Sequence, residues 1–162
     1  MIRDDRPAHR RIDLDRAEAL RLLGSVSLGR IVFTRQALPA VRPVRHVLDG
    51  GDIVFRVPED TALTVPDRRD HGEDGAGGDY GDYGDYGDEV GVVVAFEADA
   101  IDPDTHLGWS VVVTGYARPV TDPGELARIR GLLGPWEQRP DADRAVRVRP
   151  DLISGMLLVR DA

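Results

Sequence analysis

The sequence contains no cysteine, no lysine and no asparagine among its 162 residues. The lack of cysteine excludes disulfide bonds, a thiolate metal site and a thiol nucleophile. The lack of lysine excludes a Schiff-base lysine, and all 21 basic residues are therefore arginines, which bind phosphate through a planar guanidinium. Covalent catalysis by a thiol or an amine side chain is thus not open to this protein.

Long apolar runs and an excess of positive charge are also missing. No apolar stretch approaches the roughly 20 residues that span a bilayer, and the first eleven residues lack the apolar core of a signal peptide. We therefore expect a cytoplasmic protein that does not contact a membrane. The formal net charge of −8 argues against a surface for the nucleic-acid backbone, so no nucleic-acid partner is expected.

Signatures of catalysis and of metal binding are scarce. No serine lies in a GxSxG nucleophile elbow, and no Walker or Rossmann glycine pattern is present. The histidines have no pair with the short spacing of a helical metal site, so no metal is predicted. His46 lies on a predicted core strand, where it is either a hydrogen-bonded core side chain or a polar ligand contact. The chemistry is therefore expected to come from a bound cofactor.

Hydrophobic alternation predicts a mainly antiparallel β protein of the α+β class. Strands at 29–34, 39–48 and 53–57 follow one another through short turns and form a meander. Further strands are expected at 91–97, 109–120, 145–148 and 152–159, with a bulge or close approach at Gly115 and a turn at 149–151. The order favours a small antiparallel barrel over alternating parallel units.

Two short helices are predicted to flank these strands. Asp15 and Glu18 have the spacing of a capping box at the start of the first helix, and Gly24 supplies its end. The second helix begins after Asp122, with Pro123 at its first position.

The length fits one domain, assigned to residues 13–160. Residues 1–12 are charged and aperiodic and are predicted to form a flexible tail. Residues 67–89 contain three Gly-Asp-Tyr triplets and are predicted to be a disordered acidic insertion. Calcium binding is the alternative for this insertion, but its period of three differs from the ligand spacing of an EF-hand.

Five segments, taken in order, carry a resemblance to a known family. They are LDRAEALRLLGSVSLGRIVF, LPAVRPVRHVLDGGDIVFRVPEDTAL, VVAFEADAID, LGWSVVVTGYARPVTDP and VRPDLISG. Together they resemble the pyridoxamine 5'-phosphate oxidase-like family of FMN-binding split barrels, from residue 14 to about residue 155. The resemblance implies a split β-barrel with two short flanking helices. It also implies a homodimer that holds FMN at the subunit interface.

The resemblance further implies the flavin contacts. Contacts to the isoalloxazine map to Arg42, Pro43, Val44 and His46. Contacts to the ribityl and phosphate groups map to Phe55, Arg56, Val57 and Thr61, and two more residues lie near the flavin, Trp109 and Ser110. For Phe55 and Trp109, plain core packing is the alternative.

The chain departs from the family at two positions. Family members commonly place a basic residue against the FMN phosphate, where this chain has Ala62. The lost charge-assisted contact is worth about 1.5 to 3 kcal/mol, and Arg42, Arg45 or Arg56 could replace it. Met156 stands where related chains often have arginine, so oxidation of vitamin B6 is not expected.

The resulting hypothesis is an FMN-dependent oxidoreductase or flavin reductase-like protein with a small-molecule substrate, in which the flavin performs the hydride chemistry. No catalytic acid or base is identified. A deazaflavin-dependent reductase and a nitroimidazole-reductase-like activity are alternatives within the same fold. A non-enzymatic split-barrel protein that has lost its flavin is the alternative from another class.

Overall fold

Seven strands and two helices make up most of the part of the chain that the computed structural model describes, which is residues 9–58, 61, 63, 91–134 and 143–161. In chain order they are β1 (His9–Leu14), α1 (Arg16–Leu23), β2 (Leu28–Arg35), β3 (Leu38–Asp49), β4 (Asp52–Pro58), β5 (Val92–Ile101), β6 (Gly108–Pro119), α2 (Pro123–Leu133) and β7 (Asp143–Arg160). Every strand pair among them is antiparallel, as the sequence predicted.

The sheet closes on itself through β7. The strand order is β1-β7-β4-β3-β2-β5-β6, and β7 also pairs with β6. The first part of β7 pairs with β4, its last part pairs with β1, and β6 runs along its other edge. Strands β2 to β7 therefore form a closed antiparallel barrel, to which β1 is added.

The final strand differs from the prediction. The sequence placed a turn at 149–151 between two strands, whereas β7 is continuous from Asp143 to Arg160. Pro150 lies opposite Gly115, where the register between β6 and β7 shifts. Because a proline is tolerated at such an irregularity, it does not end the strand. The irregularity predicted at Gly115 is confirmed.

The amino-terminal boundary also differs. Residues 9–12 were assigned to a flexible tail, but they form most of β1, in which His9 lies opposite Arg160 and Leu14 opposite Gly155. Residues 9–11 are all exposed, so the burial alternation that reveals a strand is weak there. Residues 1–8 and the predicted insertion at 67–89 lie outside the described part of the chain.

Both helices begin at the predicted caps. The Asp15 carboxylate accepts a hydrogen bond of 2.8 Å from the backbone N–H of Glu18, and Gly24 follows the end of α1. The Asp122 carboxylate accepts one of 2.7 Å from the N–H of Glu125. These bonds satisfy N–H groups that the first turn leaves without a helical partner. Neither helix is long and apolar enough to cross a membrane, and no other described segment is such a helix.

The hydrophobic core has two parts. The larger fills the barrel and includes Ile31, Phe33, Phe55, Phe96 and Val113. The smaller lies between α2 and the outside of the barrel and contains Val54, Ile129, Leu133 and Ala145. Helix α2 therefore covers part of the outside of β3, β4 and β7.

Candidate functional site

Strand alternation divides the predicted flavin contacts between the inside and the outside of the barrel. Five of them point inward and are at most 8% exposed, and these are Val44, His46, Phe55, Val57 and Trp109. All of these except His46, four residues in total, belong to the core that fills the barrel. The side chains of Phe55 and Trp109 therefore pack in the core, which was the alternative to flavin contact.

The remaining strand residues of the predicted site lie at or near the surface. Pro43 is exposed, and Arg56 and Ser110 are partly buried on the outer sides of β4 and β6. Arg42 is partly buried and lies opposite Ile31 of β2. The structure thus places Pro43, Arg56 and Ser110 where they can reach a ligand that binds outside the barrel.

His46 is held inside the barrel by two hydrogen bonds, one to the end of α1 and one to the segment that joins α1 to β2. Its Nε2 lies 3.0 Å from the carbonyl oxygen of Leu23, and its backbone N–H donates to the carbonyl of Ser27. Since a carbonyl only accepts, Nε2 carries the proton and Nδ1 is left as an acceptor. Burial lowers the pKa of His46, partly offset by the Leu23 bond, so the ring is neutral at neutral pH. Nδ1 is buried without a partner in the described part of the chain.

Thr61 carries a second buried polar atom of this kind. Its backbone N–H donates to the carbonyl of Pro58, and its carbonyl accepts from the N–H of Leu63. Its Oγ1 is buried and has no hydrogen-bond partner among the residues that the structure describes. A buried polar atom without a partner costs about 1 to 3 kcal/mol, so these two atoms each lower the stability of the fold. Ala62 lies outside the described residues, and the missing phosphate cation there stays a prediction.

A charged cluster on the outer side of β2 and β5 was not identified from the sequence. The Nη1 atom of Arg30 donates to Glu97 Oε2 at 2.9 Å and to Asp99 Oδ2 at 2.8 Å. Ser110 Oγ lies 3.4 Å from Glu97 Oε1, at the long end of hydrogen bonding. Burial raises the pKa of Glu97, and neighbouring Asp99 adds to this while Arg30 opposes it. One arginine is thus shared by two carboxylates.

This cluster adjoins an exposed apolar surface, which we call the outer apolar face. Its members are Val32, Val41, Val93, Val112, Tyr116 and Leu152. The last five of these are between 38% and 69% exposed. Cross-strand pairing makes the face continuous across five strands, because Val32 lies opposite both Val41 and Ala95, and Thr114 lies opposite both Ala95 and Leu152.

Two predicted flavin contacts border this face. Pro43 lies opposite Arg30, and Ser110 lies opposite Asp99. Successive residues of a strand point to opposite sides, so Glu97 and Asp99 point away from the side on which Phe96 lies. This alternation along β5 could have indicated that both carboxylates point outward. Their pairing with Arg30 depends on the register between β2 and β5, which the sequence does not reveal.

No group of three or more histidine, aspartate or glutamate side chains capable of holding a metal ion occurs in the described ranges. The described residues of the candidate site therefore combine exposed apolar surface, arginines and two unsatisfied buried polar atoms.

Comparisons with known proteins identify the family of the chain. The family model described as pyridoxamine 5'-phosphate oxidase matches residues 15–156. An uncharacterised protein of Mycobacterium tuberculosis is 41% identical over 151 residues, which cover 93% of this chain and 88% of the relative.

Two solved structures share the fold. One is a Corynebacterium glutamicum protein provisionally named as a pyridoxamine 5'-phosphate oxidase, with a TM-score of 0.65, 28% identity and coverage of 94% of this chain and 95% of the other. The second is an FAD-binding protein of Mycobacterium smegmatis, with a TM-score of 0.61, 31% identity and coverage of 92% and 100%. The chain therefore belongs to the pyridoxamine 5'-phosphate oxidase family and has its split-barrel fold.

Proposed function

We propose that this protein is an FMN-binding oxidoreductase that holds the flavin where two copies of the chain meet. The observation that carries the proposal is the outer apolar face, which leaves five large apolar side chains 38% to 69% exposed beside the predicted contacts Pro43 and Ser110. A flat aromatic ring system needs apolar surface on both sides, and a second copy would supply the other side.

Arginines lie next to this face on the side of β4. Arg45 is opposite Leu28 at the edge of the face, and Arg56 is the next residue after Phe55, which pairs with His46. Because Arg45 and Arg56 flank that pair on the outward side of their strands, they are the side chains that would meet the phosphate of FMN. The buried Oγ1 of Thr61, close behind β4 in the chain, supports polar contacts there.

The chemistry that bound FMN supplies is the transfer of electrons or hydride to a small-molecule substrate. The protein contributes binding and orientation: apolar contact from the outer face, arginine charge toward the phosphate, and exclusion of water by the second copy. That the related Mycobacterium smegmatis protein binds FAD supports a flavin in general, and FMN is the form that we propose here.

Titration of FMN, FAD, riboflavin and a deazaflavin coenzyme into the purified protein tests this proposal. We expect FMN fluorescence to change on saturable binding, and we expect Arg45→Gln and Arg56→Gln each to weaken FMN binding about tenfold. Riboflavin, which lacks the phosphate, should be affected much less by either substitution.

Arg11→Gln is the matched control, because Arg11 is an exposed arginine on β1 that pairs with Asp13. Its affinity for FMN should equal that of the unmodified protein. Tighter binding of the deazaflavin coenzyme than of FMN would favour the deazaflavin-dependent alternative. Absence of binding by every flavin would overturn the proposal in favour of the non-enzymatic alternative.

A further inference from the structure

Helix α2 is too short and too rich in glycine to be stable on its own. It contains 11 residues, and isolated helices shorter than about 12 to 15 residues are only marginally stable in water. Two of its residues are glycines, Gly124 and Gly131, and glycine is the poorest helix former apart from proline. The helix therefore depends on its contacts with the barrel.

The apolar part of those contacts is separate from the barrel core. The buried residues of α2 are Ile129 and Leu133, and they form one small cluster with Val54 of β4 and Ala145 of β7. Among the described residues, the buried members of this cluster and those of the barrel core do not overlap. Loss of the contact with α2 therefore leaves the barrel core complete.

A network of ion pairs, which we call the ionic latch, joins the same helix to the barrel. Its five members are Asp49, Asp52, Glu125, Arg128 and Arg147. Arg128 of α2 donates from both Nη atoms to the Asp49 carboxylate, with Nη2 2.8 Å from Oδ2. Arg147 of β7 donates from Nη2 to Asp49 Oδ2 at 2.6 Å, and from Nε to Glu125 Oε1 at 2.9 Å. Glu125 and Arg128 thus tie α2 to charges that belong to the barrel.

The ionic latch can open without leaving a buried charge unpaired. When α2 leaves, Arg147 keeps its bond to Asp49, and it also keeps Asp52, whose Oδ2 lies 3.3 Å from Nη1. Glu125 and Arg128 move with the helix into water, where both charges are hydrated. Breaking a buried ion pair is strongly unfavourable when one partner stays behind uncompensated, and this arrangement avoids that penalty.

We propose that α2 is a strap that detaches from the folded barrel as one unit, and that the ionic latch determines how often it does so. Local openings of this kind occur in elements with few buried apolar contacts. Arg128 and Arg147 lower the pKa of Asp49 to about 2, so this carboxylate of the latch is ionised at neutral pH. The side chains of the latch are 15% to 52% exposed, so dissolved salt screens them and favours the detached state.

Detachment uncovers a surface beside one arginine of the proposed flavin site. Val54 and Ala145 are 0% and 6% exposed while α2 is docked. Ala145 lies directly opposite Arg56, and Val54 is the outward-facing residue that precedes Arg56 on β4. The strap therefore borders the place proposed for the FMN phosphate. This link rests on the proposed function, whereas the detachment itself does not.

Native-state hydrogen exchange of the full chain without flavin, followed by mass spectrometry at constant neutral pH, tests the inference. We expect exchange of the α2 amides to depend less on urea than exchange of the β4 amides, because detachment exposes much less surface than global unfolding. A rise in sodium chloride from about 0.1 M to about 1 M shortens the Debye length from about 10 Å to about 3 Å. It should speed exchange in α2 more than in β4.

Arg128→Gln removes a helix-borne charge of the latch and leaves its barrel side intact. It should speed exchange of the α2 amides about three- to tenfold and leave exchange in β4 unchanged. Glu125→Gln should act in the same direction, since it weakens the contact with Arg147. Arg130→Gln is the matched control, because Arg130 is exposed in the last turn of the same helix and forms no ion pair with the described residues.

Equal free energies and equal urea dependences of exchange in α2 and β4 would overturn the inference, because α2 would then open only together with the barrel. Equal effects of Arg128→Gln and Arg130→Gln on α2 would overturn it too. The same holds if Arg128→Gln speeds exchange in β4 as much as in α2. None of these outcomes bears on FMN binding, which the flavin titration tests separately.

Discussion

At the scale of single residues, His46 joins the first helix to the barrel. Its side chain bonds to Leu23 at the end of α1, its backbone bonds to Ser27 just before β2, and its ring meets that of Phe96 edge-on at 4.9 Å. The sequence predicted a core strand at this position and left open whether the histidine is structural or binds a ligand. The bond to Leu23 shows a structural role, and Nδ1 is buried without a hydrogen-bond partner among the described residues.

The buried ring predicts that acid destabilises the protein. Because burial lowers the pKa of His46 below its ordinary 6.5, the unfolded chain takes up a proton at a higher pH than the folded chain. The contribution of His46 to stability is therefore complete above about pH 6.5 and declines as the pH falls toward the folded pKa. Urea unfolding curves measured from pH 7.5 to 5 should show this decline.

His46→Leu should remove the decline of the free energy of unfolding between pH 7.5 and 5. It should also lower the free energy of unfolding at pH 7.5 by about 1 to 3 kcal/mol, since the carbonyl of Leu23 loses its donor. His9→Gln is the control, because His9 is exposed on β1. If His46→Leu keeps the full decline between pH 6.5 and 5, the assignment of that decline to His46 is wrong.

At the scale of elements, the contact between β6 and β7 depends on a glycine. A Cβ atom on Gly115 would lie 2.0 Å from the backbone carbonyl oxygen of Arg149, closer than any real contact. The same position carries the register shift that accommodates Pro150. The sequence indicated an irregularity at Gly115 but predicted a turn at 149–151, because a proline ordinarily interrupts strand pairing.

Gly115→Ala should therefore lower the free energy of unfolding by about 2 kcal/mol or more, since backbone must move to admit the methyl group. Gly131→Ala is a matched control: Gly131 lies in α2 and its Cβ would meet nothing within 4 Å. That substitution should stabilise the protein by about 0.5 to 1 kcal/mol through helix propensity. Equal effects of the two substitutions on thermal unfolding would contradict the close approach at Gly115.

The sequence predicted the elements well where the signal is local. The caps at Asp15 and Asp122 and the alternation of β2, β3 and β4 depend only on neighbouring residues, and they were confirmed. Strand β1 was missed because its pairing with β7 joins residues far apart in the chain. The same reason explains why the cluster of Arg30 with the two carboxylates went unpredicted.

At the scale of the whole molecule, the closed barrel determines which residues a ligand can reach. Because the barrel is closed, four of the predicted flavin contacts are buried in its core, namely Val44, Phe55, Val57 and Trp109. The outer apolar face remains exposed on the outside of the barrel. The fold and the family could be predicted from the order of the sequence motifs. Which of the predicted site residues point into the barrel, and which point outward, could be determined only from the structure. The central claim is that a flavin and a second copy share this outer surface.

Sedimentation velocity of the full chain with FMN, followed by the visible absorbance of the flavin, tests this claim most directly. We expect that the flavin sediments with the dimer, and that Val112→Asp, which places a further carboxylate on the outer apolar face opposite Glu97, yields a folded monomer that no longer carries FMN. Flavin that sediments with a monomer, or a Val112→Asp chain that still forms an FMN-loaded dimer, would contradict this claim.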